Sequence, residues 1–194
     1  MQGRVLSVQV GTSRLLRVGE RTLRSAIRKQ PAEGPVAVGP LGLAGDEQND
    51  VSVHGGLSKA VYALPQAHLA WWSAQQQAAG VLLFETPLTP GLLGENLSLD
   101  GVDEQGVFIG DRLHFAGGVV LRVTEPRQPC AKFNAVLGYE LAAKQMVQSG
   151  RCGFYLAVQT PGHIAAGEAF SLLPGARETS VAQALQHKAF KHLR

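Results

Sequence analysis

A run of short alternating segments cut by glycine limits the fold of this chain most. Residues 96–99, 107–109, 112–115 and 119–124 alternate apolar and polar side chains, with Gly110-Asp111 and Gly117-Gly118 as hairpin turns between them. Short strands at such close spacing suit a barrel. Glycine accounts for 23 of 194 residues and proline for 10, so turns are many and a helix bundle is disfavoured.

The rest of the chain fits around that centre. Residues 4–10 alternate as a strand, and 15–18 and 22–27 read as two more. Arg14, Arg17, Arg21, Arg24 and Arg28 fall at helical spacing there, but Gly19 and the β-branched residues favour strands. Residues 31–58 are rich in glycine and proline, with one short strand at 36–38; a loop this long in a compact domain is often functional. A strand at 59–63 precedes a helix that Pro65 opens and Gly80 closes. After Cys130 the spacing turns helical, and Gly138 divides two short helices that end at Gly150. Residues 153–159 and 168–172 read as closing strands, and Thr179 is placed to cap a last helix reaching about Leu193. The expected fold is mainly β with some α: a barrel domain over residues 1–175 and a helical tail over 176–194.

Composition excludes several classes. No apolar run approaches the roughly 18 residues of a membrane span. Met1-Gln2-Gly3-Arg4 leads into an alternating segment rather than a signal peptide. Cys130 and Cys152 cannot make a disulfide framework or a four-cysteine zinc site, so a reducing cytoplasm is expected. The net charge of +3 is uneven: residues 1–29 hold seven basic side chains and one acidic, whereas residues 30–176 hold seven and thirteen. A basic end fits either a polyanionic partner or a solvated edge. Nucleic acid is a poor partner, because aromatic residues are only 6% and no recognition motif is visible.

Standard catalytic motifs are absent, so the chemistry must sit in local clusters. The sharpest is Pro126-Arg127-Gln128-Pro129-Cys130-Ala131-Lys132. A cysteine at a helix start beside two cations should favour thiolate, a nucleophile and soft metal ligand; a small buried hydrophobe is the alternative. In Val53-His54-Gly55-Gly56-Leu57-Ser58-Lys59, two glycines could turn backbone N–H groups toward an anion, or simply form a hairpin turn. The three carboxylates of Asp46, Glu47 and Asp50 lack calcium-loop spacing and read as a solvated loop, with Asp46 able to orient it. Arg151 leads into a closing strand and is placed to line a cavity, while Glu95-Asn96 orients a ligand or caps a turn.

Taken in order, these clusters resemble the MOSC domain, the family named for the C-terminal part of molybdenum cofactor sulfurase. The resemblance runs through residues 27–31, Gly42-Leu43-Ala44-Gly45-Asp46, His54-Gly55-Gly56 with Lys59, Gly94-Glu95-Asn96-Leu97, Ile109-Gly110-Asp111, the Cys130 cluster and Gly150-Arg151-Cys152-Gly153. It looks closest to the small stand-alone bacterial branch linked to resistance to N-hydroxylated base analogues. The resemblance implies a MOSC-type β-barrel with short peripheral helices and a C-terminal helix. It also implies a bound molybdenum cofactor (molybdopterin), with Cys130 as catalytic residue and metal ligand. Lys29, His54, Gly55, Lys59, Asn96, Arg127 and Arg151 match positions that would bind the cofactor, the basic ones its phosphate and pterin. The implied activity is reduction of N-hydroxylated bases by oxygen removal, with electrons from a separate redox protein. The alternative is a non-catalytic carrier of cofactor or sulfur, with a persulfide on Cys130. A small-molecule N-hydroxylated substrate, a homodimer and no membrane complete the implied partners. Two departures stand out: Leu57-Ser58 replaces a common Pro-Asp, and only one helix fits after the barrel, which bears on dimerisation and donor docking.

Overall fold

Apolar alternation is what closes this fold. Val5, Leu97, Leu99, Leu113, Leu121 and Val123 all point inward and are fully buried or nearly so. The computed structural model describes residues 1–49, 55–81 and 87–191. In chain order the strands are β1 (Gln2–Val10), β2 (Arg14–Val18), β3 (Arg21–Ser25), β4 (Gln30–Pro31), β5 (Val36–Gly39), β6 (Gly42–Leu43), β7 (Val61–Pro65), β8 (Leu97–Asp100), β9 (Arg112–Phe115), β10 (Val120–Pro126), β11 (Phe154–Thr160), β12 (Gly162–Ile164) and β13 (Ala169–Leu173). The helices are α1 (Ala67–Ala78), α2 (Ala131–Leu137), α3 (Ala142–Ser149) and α4 (Val181–Lys191).

Seven strands form a barrel in the order β13-β9-β10-β11-β7-β8-β1, closed by β1 pairing back to β13. Only β7 and β8 run parallel; the other pairs in the ring are antiparallel. A parallel pair needs a long crossover, and α1 lies on that crossover. Its Trp72 is fully buried and meets the Phe133 ring of α2 edge-on at 5.0 Å. A small sheet β12-β5-β6 and the β2–β3 hairpin lie outside the ring, and β4 extends it beside the end of β1. Val181 and Leu185 of α4 belong to the same core as the barrel.

Three expectations change. Residues 107–109 are not a strand: the backbone there wraps the buried Asp111, whose carboxylate accepts N–H groups from Phe108 (3.1 Å) and Gly175 (2.7 Å). Pro65 ends β7 rather than opening α1, because it is held in register with Leu99 of β8. The cap of α4 is Ser180, not Thr179. Ser180 Oγ accepts the Gln183 N–H while Gln183 Oε1 accepts the Ser180 N–H, a reciprocal capping box. The strands β4, β6 and β12 were not anticipated; at two or three residues each, they are too short to show alternation.

Candidate functional site

The described residues form a cleft of about 620 Å³, counting the space at its mouth. Its walls come from residues 25–29 after β3, 46–49 after β6, 59–62 entering β7, 93–96 before β8 and 127–132 between β10 and α2, with Tyr155 of β11. Lys29, Lys59, Asn96, Arg127 and Cys130 are thereby brought together. Arg151 and Gly55 do not line the cleft, and His54 lies outside the described residues. The cations Lys29, Lys59, Arg127 and Lys132 face the carboxylates Asp46 and Glu47, so among the described residues the lining is net positive.

One wall is a tight polar knot. Asp46 Oδ1 accepts the Gly11 N–H at 2.8 Å and pairs with Lys29 Nζ, and its Oδ2 accepts Asn96 Nδ2 at 2.8 Å. Asn96 also donates to the Gln9 carbonyl (3.2 Å) and accepts the Tyr62 N–H (3.0 Å). The Asn96 amide is therefore committed to holding β1, β7 and the 44–49 loop together. Lys29 is only 7% exposed and is balanced locally by Asp46. Gly91 braces it from behind: φ is +92°, and a Cβ there would lie 2.6 Å from the Lys29 carbonyl oxygen.

The cleft also carries Arg127. Its guanidinium lies 5.3 Å from the Tyr62 ring centre and 4.6 Å from that of Phe133. The side chain is buried and also hydrogen-bonds Tyr155, yet Nη1 has no partner among the described residues. Cys130, half-buried, caps α2 through its carbonyl, which accepts the Phe133 N–H at 3.0 Å, and it interacts electrostatically with Arg127. α2 has only seven residues, so its dipole adds little at Cys130.

Lys59 ends a 3-10 turn rather than starting a strand; its ammonium lies 3.7 Å from Glu125 and 5.7 Å from the Tyr155 ring centre. Gly55 serves Gln48: a Cβ at Gly55 would lie 2.4 Å from Gln48 Oε1. That oxygen accepts the Gly56 N–H at 2.9 Å, so this backbone donor is already used. Arg151 stacks on Trp71 at 5.1 Å. Cys152 is fully buried, and burial pushes its thiol well above the usual range, marking it as inert.

Gln48, Tyr62 and Tyr155 are the site residues that sequence reasoning missed. The tyrosines sit in strands that read as core, and Gln48 lies in a loop with no periodicity. His68 makes a buried pair with Glu104 at 2.8 Å, which in turn accepts the Gly153 N–H.

A small barrel with a cationic, cysteine-bearing cleft is the class that fold and site define. Comparison with known proteins agrees. Residues 50–171 match the model of the MOSC domain. YiiM of Escherichia coli is 34% identical over 162 residues, covering 82% of this chain and 69% of that protein. YflK of Bacillus subtilis is 32% identical over 169 residues, covering 87% of this chain and 72% of that protein. A Gibberella moniliformis protein named a reductase is 34% identical over 176 residues, which cover 88% of this chain but 29% of that protein. The solved structure of YiiM from Geobacillus stearothermophilus superposes with a TM-score of 0.75 at 28% identity, covering 99% of this chain and 86% of that one. YiiM from Escherichia coli gives a TM-score of 0.71 at 26% identity, covering 95% and 76%. The chain belongs to the MOSC domain family.

Proposed function

We propose that this chain holds a molybdenum cofactor in the cleft and reduces N-hydroxylated bases and related compounds. The observation that carries this reading is Arg127 Nη1, a charged donor buried in the cleft wall with no partner among the described residues. Leaving such a group unpaired is costly, and an anion would satisfy it. A guanidinium fork matches phosphate and planar polar rings better than an ammonium does. The residues present therefore fit the phosphate and pterin parts of the group.

Cys130 would be the protein's ligand to the metal. Among the described residues no three of His, Cys, Asp and Glu converge. The described side chains alone thus make no metal cage, and a metal at Cys130 fits best when it arrives in its own chelate. Once bound, the group supplies two-electron redox chemistry beside a thiolate.

The chain's own residues do the rest. Arg127, Lys59 and Lys132 hold negative charge, and the Asp46–Asn96 knot fixes the part of the wall that Lys29 lines. Tyr62 and Tyr155 keep water from the Arg127 side; both are buried, and burial raises their hydroxyl pKa values, so they remain neutral. The net reaction breaks the N–O bond of an N-hydroxyl compound, takes up two electrons and two protons, and releases amine and water. The electrons come from a separate redox protein. No described helix is long and apolar enough to cross a membrane, and a cytoplasmic setting suits the two free thiols.

Purification from a host that makes the cofactor should give equimolar molybdenum and pterin, with the metal lost in Cys130→Ala. Reduced methyl viologen should then drive reduction of hydroxylaminopurine by the wild type only. A persulfide on Cys130 with no turnover would replace this reading by the carrier one. Equal activity in Cys130→Ala would remove the ligand role.

A further inference from the structure

The β2–β3 hairpin displays charge that the cleft does not use. Its register sets Leu16 opposite Leu23, and Leu15 and Arg17 opposite Arg24 and Thr22. One face thus carries Leu16, which is buried, with Val18 and Leu23 half-buried. The other carries Leu15, Arg17, Thr22 and Arg24, all exposed; Leu15 is 74% exposed. Arg14, Arg21 and Arg28 are exposed as well, and Glu20 is the one carboxylate between Arg14 and Arg28.

This surface is organised. Arg24 is anchored by Nε to Ser13 Oγ (3.1 Å) and by Nη2 to the Ser13 carbonyl (3.2 Å), and Arg17 Nε donates to the Gly19 carbonyl at 3.2 Å. It is also joined to the cleft from both strands. β3 runs directly into Ser25, Ala26 and Ile27 of the cleft wall, while β2 packs against α2, the helix that Cys130 caps.

We infer that the β2–β3 ribbon is the docking surface for an acidic electron-transfer protein. The inference rests on the reductase reading, which requires electrons from outside the chain. An exposed leucine flanked on its own face by Arg17 and Arg24 is the pattern of a protein interface, with an apolar centre and a charged rim. Single-stranded nucleic acid would want aromatic stacking groups, and the ribbon has none. Opposite charge would speed encounter and orient the carrier toward the cleft, at a rate that falls with salt.

The test uses reduced [2Fe–2S] ferredoxin and reduced flavodoxin, both acidic, as probes of the full chain. A 20-base-pair DNA duplex and phosphatidylglycerol vesicles serve as competitors. The variants are Arg17→Glu/Arg24→Glu and, in case reversal disturbs folding, Arg17→Gln/Arg24→Gln. At least one carrier should bind the wild type, more weakly as salt rises from about 50 to about 300 mM, and about tenfold or more weakly to the variants. Methyl-viologen-driven reduction, which bypasses docking, should be unchanged. Equal carrier binding by wild type and variants would overturn the inference. So would no carrier binding by wild type, or tighter binding of DNA or vesicles. If the variants lose carrier binding but methyl viologen drives no reduction in the wild type, the docking surface stands and the reductase reading falls.

Discussion

Asn96 donates from Nδ2 to Asp46 Oδ2 at 2.8 Å, while the other oxygen of Asp46 pairs with Lys29. Two residues that look like site groups in the sequence thus meet through a third that looked like a solvated loop. Asp46→Ala would leave the buried Lys29 ammonium without its partner. It should cost roughly 3–5 kcal/mol in urea unfolding, the usual penalty for an uncompensated buried charge. Lys29→Met in the same background should recover much of that loss.

Glu95 should make stability depend on pH. It is fully buried, with Oε1 accepting the Gly91 N–H at 2.6 Å and Oε2 without a partner among the described residues. Burial pushes its carboxyl from 4.5 up to about 7. The folded state thus retains a proton that the unfolded chain releases. Its stabilising contribution is full below about pH 4.5 and is lost as pH rises to about 7, a change of roughly 3 kcal/mol. Glu95→Gln stays neutral throughout. The stability difference between wild type and this variant, followed by urea titration from acid to neutral pH, should therefore shift against the wild type and level off above pH 7.

Arg127 should show opposed effects on stability and ligand binding. Arg127→Met removes a buried charge with an unpaired donor. The ligand-free chain should become more stable by about 1–4 kcal/mol, while cofactor content falls to background. Arg127→Lys keeps the charge but loses the fork and the stacking against Phe133, so molybdenum and pterin content should drop about tenfold. Unchanged cofactor content in both variants would show that the anion site lies elsewhere.

Ser180→Ala breaks one arm of the α4 capping box and should cost about 1 kcal/mol. That is a Tm loss of roughly 2–4 °C in a chain of this size. Thr179→Ala, next to it, should change Tm by less than half as much.

The barrel and its helices were legible because alternation and glycine turns are local signals. Residues 112–115 and 119–124 lie within a residue or two of β9 and β10, and Gly138 and Gly150 end α2 and α3 in left-handed turns. The 107–109 segment misled because its pairing stops at a single bridge, Phe108 to Ser180, and the Phe108 N–H turns to Asp111 instead. In the site, the Cys130–Arg127 cluster was visible because its residues are contiguous. The Asp46–Lys29–Asn96 knot was not, since its members are 17 and 50 residues apart and hydrogen bonding leaves no periodicity. Arg151 looked like a cavity residue by charge alone; its aromatic partner Trp71 lies far away in sequence.

The pairing of β1 with both β8 and β13 has a consequence for biosynthesis. β1 is made before both of these partners, which begin at Leu97 and Ala169. One edge therefore waits for β8 and the other for β13, and ring closure is slow because the contacts are distant in sequence. Any nascent chain stalled before Ala169 would present β1 as a bare edge, the form most prone to pair with a neighbouring chain.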